Sequence, residues 1–321
     1  MPTSIVNAFS IDVEDYFQVS AFESDVPREA WSRYEPRVER NTRRLLALLA
    51  EQQVQATFFV LGWTAEQFPD LVREIVAAGH ELGSHGYWHR LIYQQTPAAF
   101  REDIVKARAV LEEIGQVKVD VYRAPSFSIT NRSLWALDEL AAAGYRLDSS
   151  IFPVHHDRYG LPDAKTEPHV IRTANGEIEE FPMAVKRFGR LNWPLSGGGY
   201  FRLLPLAVSI RYLRQINQRR GLPFVFYIHP WEIDPEQPRI AARSRAARFR
   251  HYVNLSSTER KLRRLVTEFR FTTVSEAWRS CQPTCAAPAP AVSTTRPLGA
   301  RLDAEAAESE NLTSAWSDGL R

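Results

Sequence analysis

Two histidines four residues apart, His85 and His89, follow the short stretch Glu81 to Ser84, and three carboxylates, Asp12, Glu14 and Asp15, close the apolar stretch that begins at Ile5. On a helical turn, residues at that spacing share a face, and two neutral imidazoles can converge on one cation. Alone, the pair is equally what an exposed helix start would carry. Two histidines joined by one carboxylate, with positions left open, are the set that a hydrolytic metal centre needs. Side chains two apart on an extended strand face the same way, which favours Glu14 beside Asp12. A turn beginning at Val13 would present Asp15 instead, so both stay candidate ligands. Arg123 and Asp148 stand at the ends of two further strand-like stretches, and His229 follows the very apolar run Phe224 to Ile228. A histidine in that setting is more often a satisfied structural group than a reactive one.

The elements that must hold these groups follow a βα rhythm. Ile5 to Val13 reads as a buried strand, Val38 to Gln52 as a helix and Ala56 to Leu61 as the next strand. Thr64 and Gln67 have capping-box spacing ahead of a helical period through Phe68, Leu71, Val72, Ile75 and Val76, which Gly79 ends. Thr96 and Pro97 open a helix with a buried stripe at Phe100, Ile104, Ala107, Leu111 and Ile114. Val117 to Tyr122 and Tyr145 to Ser150 read as strands around a helix from Asn131 to Ala143. Residues 151 to 203 break the rhythm, as an inserted hairpin and a glycine-rich loop of the kind that shapes access to a rim. A helix from Leu206 to Arg220, the strand Phe224 to Ile228, a second capping box at Ser256 and Glu259, and a last strand from Arg270 to Val274 follow. Reactive groups always come after strands, the signature of a parallel barrel or doubly wound sheet with its site at one rim. Residues 1–280 then form one catalytic domain, and 281–321, rich in Ala, Pro, Ser and Thr, a disordered tail.

Composition narrows the function. With 321 residues, 44% of them apolar, the chain can bury one large core. A net charge of +2, with basic residues spread over mixed-sign helix faces, argues against nucleic acid as the partner. No basic leader precedes an apolar segment, and no run of 18 apolar residues occurs, so the expectation is a soluble cytoplasmic protein without a transmembrane segment. Cys281 and Cys285 supply neither a disulfide framework nor a four-cysteine zinc site.

Five strand-end motifs occur in a fixed order: D-V-E-D, H-G-Y-W-H, R-A-P-S-F, L-D-S-S and Y-I-H-P-W-E. Over roughly residues 5 to 275 this set resembles the polysaccharide deacetylase family, also called the NodB homology or carbohydrate esterase 4 group. D-V-E-D-Y-F, the His155-His156 segment and S-G-G-G-Y-F-R resemble its branch in exopolysaccharide loci linked to exosortase (PEP-CTERM) sorting. The resemblance implies an α/β fold, a distorted, incomplete (β/α) barrel, and metal-dependent removal of acetyl groups from N-acetylhexosamine units. The metal it implies is zinc, with cobalt, nickel or manganese as alternatives. The substrates are an N-acetylated polysaccharide or lipid-linked oligosaccharide, and the partners exopolysaccharide assembly proteins.

In the family pattern the first aspartate is the general base, here Asp12, and His85 and His89 are metal ligands. Most relatives have adjacent aspartates; Val13 interrupts them here, which leaves the carboxylate ligand as Glu14 or Asp15. The resemblance further implies that Arg123 grips Asp12 through a two-pronged contact, that His229 protonates the leaving amine and that Asp148 orients His229. The amide of Tyr87 would help hold the oxyanion. Trp88, Pro125, Phe127 and Trp231 would line a sugar groove, with His155, His156, Trp193 and Tyr200 on the inserted loops. Two other functions compete. A metal-independent amidohydrolase of the same fold, acting on small cyclic ureides, should lose metal ligands; a noncatalytic glycan-binding module should lack base, ligands or acid.

Overall fold

The computed structural model describes residues 5–156, 158–189 and 191–285. Its centre is β1 (Val6–Val13), buried along nearly its whole length. β2 (Thr57–Val60) lies parallel on one side of it, followed outward by β3 (Glu81–Ser84), β4 (Val121–Tyr122) and β5 (Leu147–Asp148). The hairpin β6 (His169–Thr173) and β7 (Gly176–Glu180) ends that side, with β7 parallel to β5 and antiparallel to β6. A second hairpin, β8 (Val185–Phe188) and β9 (Leu191–Pro194), stands apart. On its other side β1 pairs in parallel with β10 (Val225–Ile228), while β11 (Arg270–Thr272) pairs in parallel with the start of β1 on the β2 side, ahead of the first residue of β2. The sheet does not close on itself, so the barrel is incomplete. Both faces of β1, β2 and β10 are covered, which is why these strands read as continuous apolar runs.

The helices are α1 (Val38–Glu51), α2 (Gly62–Gln67), α3 (Pro69–Ala77), α4 (Pro97–Gly115), α5 (Ala136–Ala142), α6 (Gly198–Leu203), α7 (Leu206–Gln215), α8 (Arg245–Tyr252), α9 (Leu255–Glu268) and α10 (Val274–Cys285). α4 begins as expected: the Thr96 hydroxyl accepts from the Ala99 amide at 3.2 Å and Pro97 occupies the first turn. Neither expected capping box forms. Phe68, driven out of helical geometry to φ −132° and ψ 62° by the proline that follows, splits the second helix into α2 and α3 and leaves Thr64 inside α2. α9 starts at Leu255 behind Asn254, whose φ is 55°; the Ser257 and Thr258 hydroxyls donate to the Asn254 carbonyl, and Glu259 pairs with Arg44 and Arg263. α5 and β4 are shorter than their sequence patterns, since a hydroxyl-braced turn at Thr130 and Ser133 takes the first residues of the expected helix.

One element is new. Where the sequence reads as leaving the domain, α10 runs to Cys285 and packs Val274, Ala277, Trp278 and Cys281 inward, the i, i+3, i+4, i+7 stripe of a buried helix face. The remainder of the expected tail lies outside the described residues. Among the described residues, no helix is long and apolar enough to cross a membrane.

Candidate metal centre and active site

The exit of β1 supplies the acids. The Glu14 amide donates back to the Asp12 carbonyl at 3.0 Å, a tight turn that folds Glu14 over the strand end toward β3. β3 delivers His85, but the segment to His89 is a loop rather than the helical turn inferred from spacing: Gly86 has φ 74° and His89 φ 52°. Asp103, on the buried face of α4, holds this loop by accepting the amides of Tyr87 at 2.7 Å and Trp88 at 3.2 Å. A left-handed non-glycine residue costs about 1–3 kcal/mol, and these bonds hold His89 there.

Glu14, His85 and His89 each offer a ligand atom, all within 4.8 Å of one another and all buried. The His85 Nδ1 lies 2.8 Å from the Arg123 carbonyl, which fixes the ring so that Nε2 is left to face the cluster. Burial pushes the His85 pKa down to about 4, against the pull of Asp12 and Glu14, so the imidazole is neutral as a ligand must be. Burial disfavours the Glu14 charge, yet His89, His229 and His85 outweigh it and hold the carboxyl far below the usual range. His89 Nε2 lies 2.7 Å from Glu14 Oε2, but this buried oxygen makes no hydrogen bond. Two such atoms this close need a proton or a cation between them, and three buried ligand atoms within 4.8 Å of one another fit a divalent metal.

Asp15 is not in this set. Its Oδ2 accepts the amides of Arg37 at 2.7 Å and Val38 at 2.9 Å, and its Oδ1 that of Tyr16, so it caps the start of α1. Of the two carboxylates that the sequence left open, Glu14 is the one that the fold aims at the histidines.

Asp12 takes Arg123 Nη1 on its Oδ1 at 2.7 Å, and both side chains are buried. The contact has one prong, not two: Nη1 also donates to Ser10 Oγ at 2.7 Å, while Nε and Nη2 go to the Ser149 carbonyl and hydroxyl, each at 3.0 Å. The L-D-S-S motif therefore braces Arg123. Asp148 does not reach His229, from which β5 is separated by four intervening strands in sheet order. Its Oδ1 accepts from the Ser150 hydroxyl, and it faces Glu180, its register partner on β7. Burial raises both carboxyls, and their mutual repulsion raises Glu180 well above its usual value, so the pair keeps a proton.

Carboxyl groups raised on folding add stability that is complete at acid pH and lost as pH rises through the raised values. Each pKa unit corresponds to about 1.4 kcal/mol. Glu180→Gln is expected to flatten the fall of Tm above the ordinary carboxylate range, and parallel Tm-against-pH curves for wild type and variant would contradict this.

β10 delivers His229, and the residue that orients it is Glu232, three positions on. Its Oε1 accepts from His229 Nδ1 at 2.7 Å, and its Oε2 from Arg202 Nε at 2.6 Å. Arg202 is buried and spends its remaining donors on the carbonyls of Arg250, His251 and Val253. Burial opposes a charge on His229, but Glu14, Glu232 and Asp12 together raise its pKa to about 9. Burial opposes the Glu232 charge too, and Arg202 and His229 overcome it. The glycine-rich loop makes this possible: a Cβ on Gly197 would meet the Tyr227 carbonyl oxygen at 1.9 Å, and one on Gly198 the Tyr227 hydroxyl at 2.5 Å. Only glycine lets residues 196–202 press against β10 and bring Arg202 under Glu232. The sequence carried both residues, at the ends of Y-I-H-P-W-E and S-G-G-G-Y-F-R, with no role for either.

His229 Nε2 lies 3.2 Å from Glu14 Oε1 and 4.0 Å from Asp12 Oδ2, so base, ligands and acid meet in one place. Trp231 stacks on His229 at 5.1 Å and its indole donates to Glu14 Oε1 at 3.3 Å. Phe127 packs edge-on to Tyr227, within 5.7 Å of the Arg123 guanidinium. Pro125 is buried in the turn before it, and Trp88, half-buried, joins a cluster with Trp31. Tyr87 is corrected: its amide is taken by Asp103 and its hydroxyl by Glu66 at 2.6 Å, so it offers no oxyanion donor. His156 stacks on Tyr159, His155 and Trp193 are exposed, and Tyr200 is half-buried in α6; none of these four is joined to the metal cluster by an observed contact.

Residues 27–147 match the family model described as polysaccharide deacetylase, and residues 149–279 match a domain of unknown function, DUF3473. Peptidoglycan-N-acetylglucosamine deacetylase of Bacillus cereus is 32% identical over 99 residues, 30% of this chain and 36% of that protein. Chitooligosaccharide deacetylase of a Bradyrhizobium species is 32% identical over 103 residues, 32% of this chain and 44% of that one. The chain thus matches less than half the length of these curated relatives. A solved structure from Mycobacterium smegmatis, provisionally named a polysaccharide deacetylase, covers 92% of this chain and 99% of its own with a TM-score of 0.58 at 20% identity. That likeness shows the distorted, incomplete barrel to be a shared fold. Residues 27–147 of the chain are thus similar to the polysaccharide deacetylase family.

Proposed function

We propose that this protein is a metal-dependent hydrolase that removes N-acetyl groups from N-acetylhexosamine units of a polysaccharide or lipid-linked oligosaccharide. The observation that carries this reading is the meeting of the Glu14, His85 and His89 donor set with the Asp12–Arg123 pair and His229. Glu14, His85 and His89 would hold a divalent metal, zinc first, which would supply Lewis acidity to the amide carbonyl and to water near neutral pH. Asp12, held by Arg123 through Oδ1, keeps Oδ2 facing His229 and takes the proton of the attacking water. His229, protonated and oriented by Glu232, gives a proton to the leaving amine. Trp231, buried and stacked on His229 and His251, packs the proton donor rather than offering a free ring face to the sugar. The exopolysaccharide setting, with its assembly partners, rests on the motif resemblance alone.

The test incubates purified protein and divalent metal with a length series of N-acetylated oligosaccharides and, separately, with allantoin-like ureides. Acetate release that rises with chain length before levelling supports the reading. Ring opening without acetate, or binding without either, replaces it with the ureide hydrolase or the binding module. Asp12→Asn is expected to retain metal while turnover falls by at least ~100-fold, the usual share of a general base. Loss of metal in that variant would make Asp12 a ligand.

A further inference from the structure

Residues 237–258 contain five arginines and no acidic residue, in a chain whose net charge is only +2. Here the expectation of mixed-sign faces fails. Arg239, Arg243, Arg245, Arg248 and Arg250 are all exposed. Arg243 reaches Asp25 at 3.7 Å and Arg239 lies over the Tyr252 ring, but the side chains of Arg245, Arg248 and Arg250 make no ion pair among the described residues. Arg245, Arg248, Phe249 and Tyr252 fall at i, i+3, i+4 and i+7, so they form one stripe of α8. That stripe faces outward while Ala247 and His251 face the core, and Phe249 is 62% exposed. Together with Arg239 and Val253 the stripe lines an open cleft of about 440 Å³.

We propose that this face docks the protein on an anionic phospholipid surface. Exposed guanidinium groups that make no ion pair among the described residues fit lipid phosphates, and a phenyl ring among them fits the boundary between headgroup and acyl chain. A soluble glycan is a poorer occupant. The cleft offers sugar hydroxyls no carboxylate or amide side chain, and the Tyr252 oxygen already accepts the Ile240 amide at 2.7 Å. The face adjoins the candidate active site: Tyr252 packs on His251, which stacks on Trp231 at 4.2 Å, and Trp231 stacks on His229. Docking would therefore bring the mouth of the site to the headgroup layer.

Co-sedimentation of the full chain with vesicles, without substrate, tests this apart from the deacetylase reading. Vesicles containing phosphatidylglycerol should bind, neutral phosphatidylcholine vesicles should not, and raising salt should weaken binding. Each arginine near such a surface contributes roughly fivefold, so Arg245→Ala with Arg248→Ala should cost about 25-fold, and Phe249→Ala a further severalfold. All three side chains are exposed, so unchanged Tm certifies the fold of the variants. Equal binding to both vesicle types, binding that Phe249→Ala leaves untouched, or binding to dextran sulfate or inorganic phosphate with none to vesicles would each overturn the proposal.

Discussion

Replacing His89 by alanine is expected to strip the protein of divalent metal and of acetate release together. Loss of a partner that merely orients a ligand lowers metal affinity by about 10–100-fold, and loss of a direct ligand should exceed that range. The same holds for His85→Ala. The fold should survive, because both residues lie beyond the end of β3, in a loop held by the Asp103 carboxylate on the Tyr87 and Trp88 amides and by the His85 amide on the Val60 carbonyl rather than by the imidazoles. Metal content after gel filtration, with Tm beside it, checks both statements. Full metal occupancy in either variant removes that histidine from the centre.

Glu232→Gln should lower kcat by tens to hundreds of fold with little change in KM. Glutamine keeps the shape but has one acceptor oxygen, so either His229 Nδ1 or Arg202 Nε loses its partner, and the carboxylate that favours a protonated His229 is gone. Arg202→Ala should act on the fold instead. It leaves a buried carboxylate without its counter-ion and frees the three carbonyls that the guanidinium binds, and breaking a buried pair in this way costs about 3–5 kcal/mol. In a domain of this size that is a fall in Tm of roughly 10 °C or more. Wild-type kcat in Glu232→Gln would mean that His229 is oriented by something else.

What the sequence disclosed, and what it hid, follows the reach of each interaction. Asp12, Glu14, His85, Arg123 and His229 stand at strand ends, and parallel strands bring such ends to one rim whatever their separation in the chain. The partner of His229 was hidden because its anchor, Arg202, comes from a loop thirty residues earlier whose approach depends on Gly197 and Gly198. Tyr87 was misread because the residue that takes its amide, Asp103, lies sixteen positions on. A signal existed, since Asp103 interrupts the buried stripe of α4 between Phe100 and Ile104. Asp15 stood at the right place in sequence, but the first amides of α1 claimed it. The stripe of α10 was legible at Val274, Ala277, Trp278 and Cys281, yet the proline and alanine that follow masked it.

The pairing of β1 sets when this protein can first work. One edge of β1 is filled early in synthesis by β2 over Ser10 to Val13, but the start of that edge waits for β11 and the other edge for β10, both more than two hundred residues later. Until the ribosome has released residue 272 or so, the nascent chain carries a bare, apolar parallel edge. Long-range parallel pairing of this kind is slow, and exposed edges invite wrong partners. The growing chain would therefore benefit from chaperone cover over this interval. Since His229 and Glu232 follow the late strand β10, a product cut short before them cannot turn over substrate by the proposed mechanism.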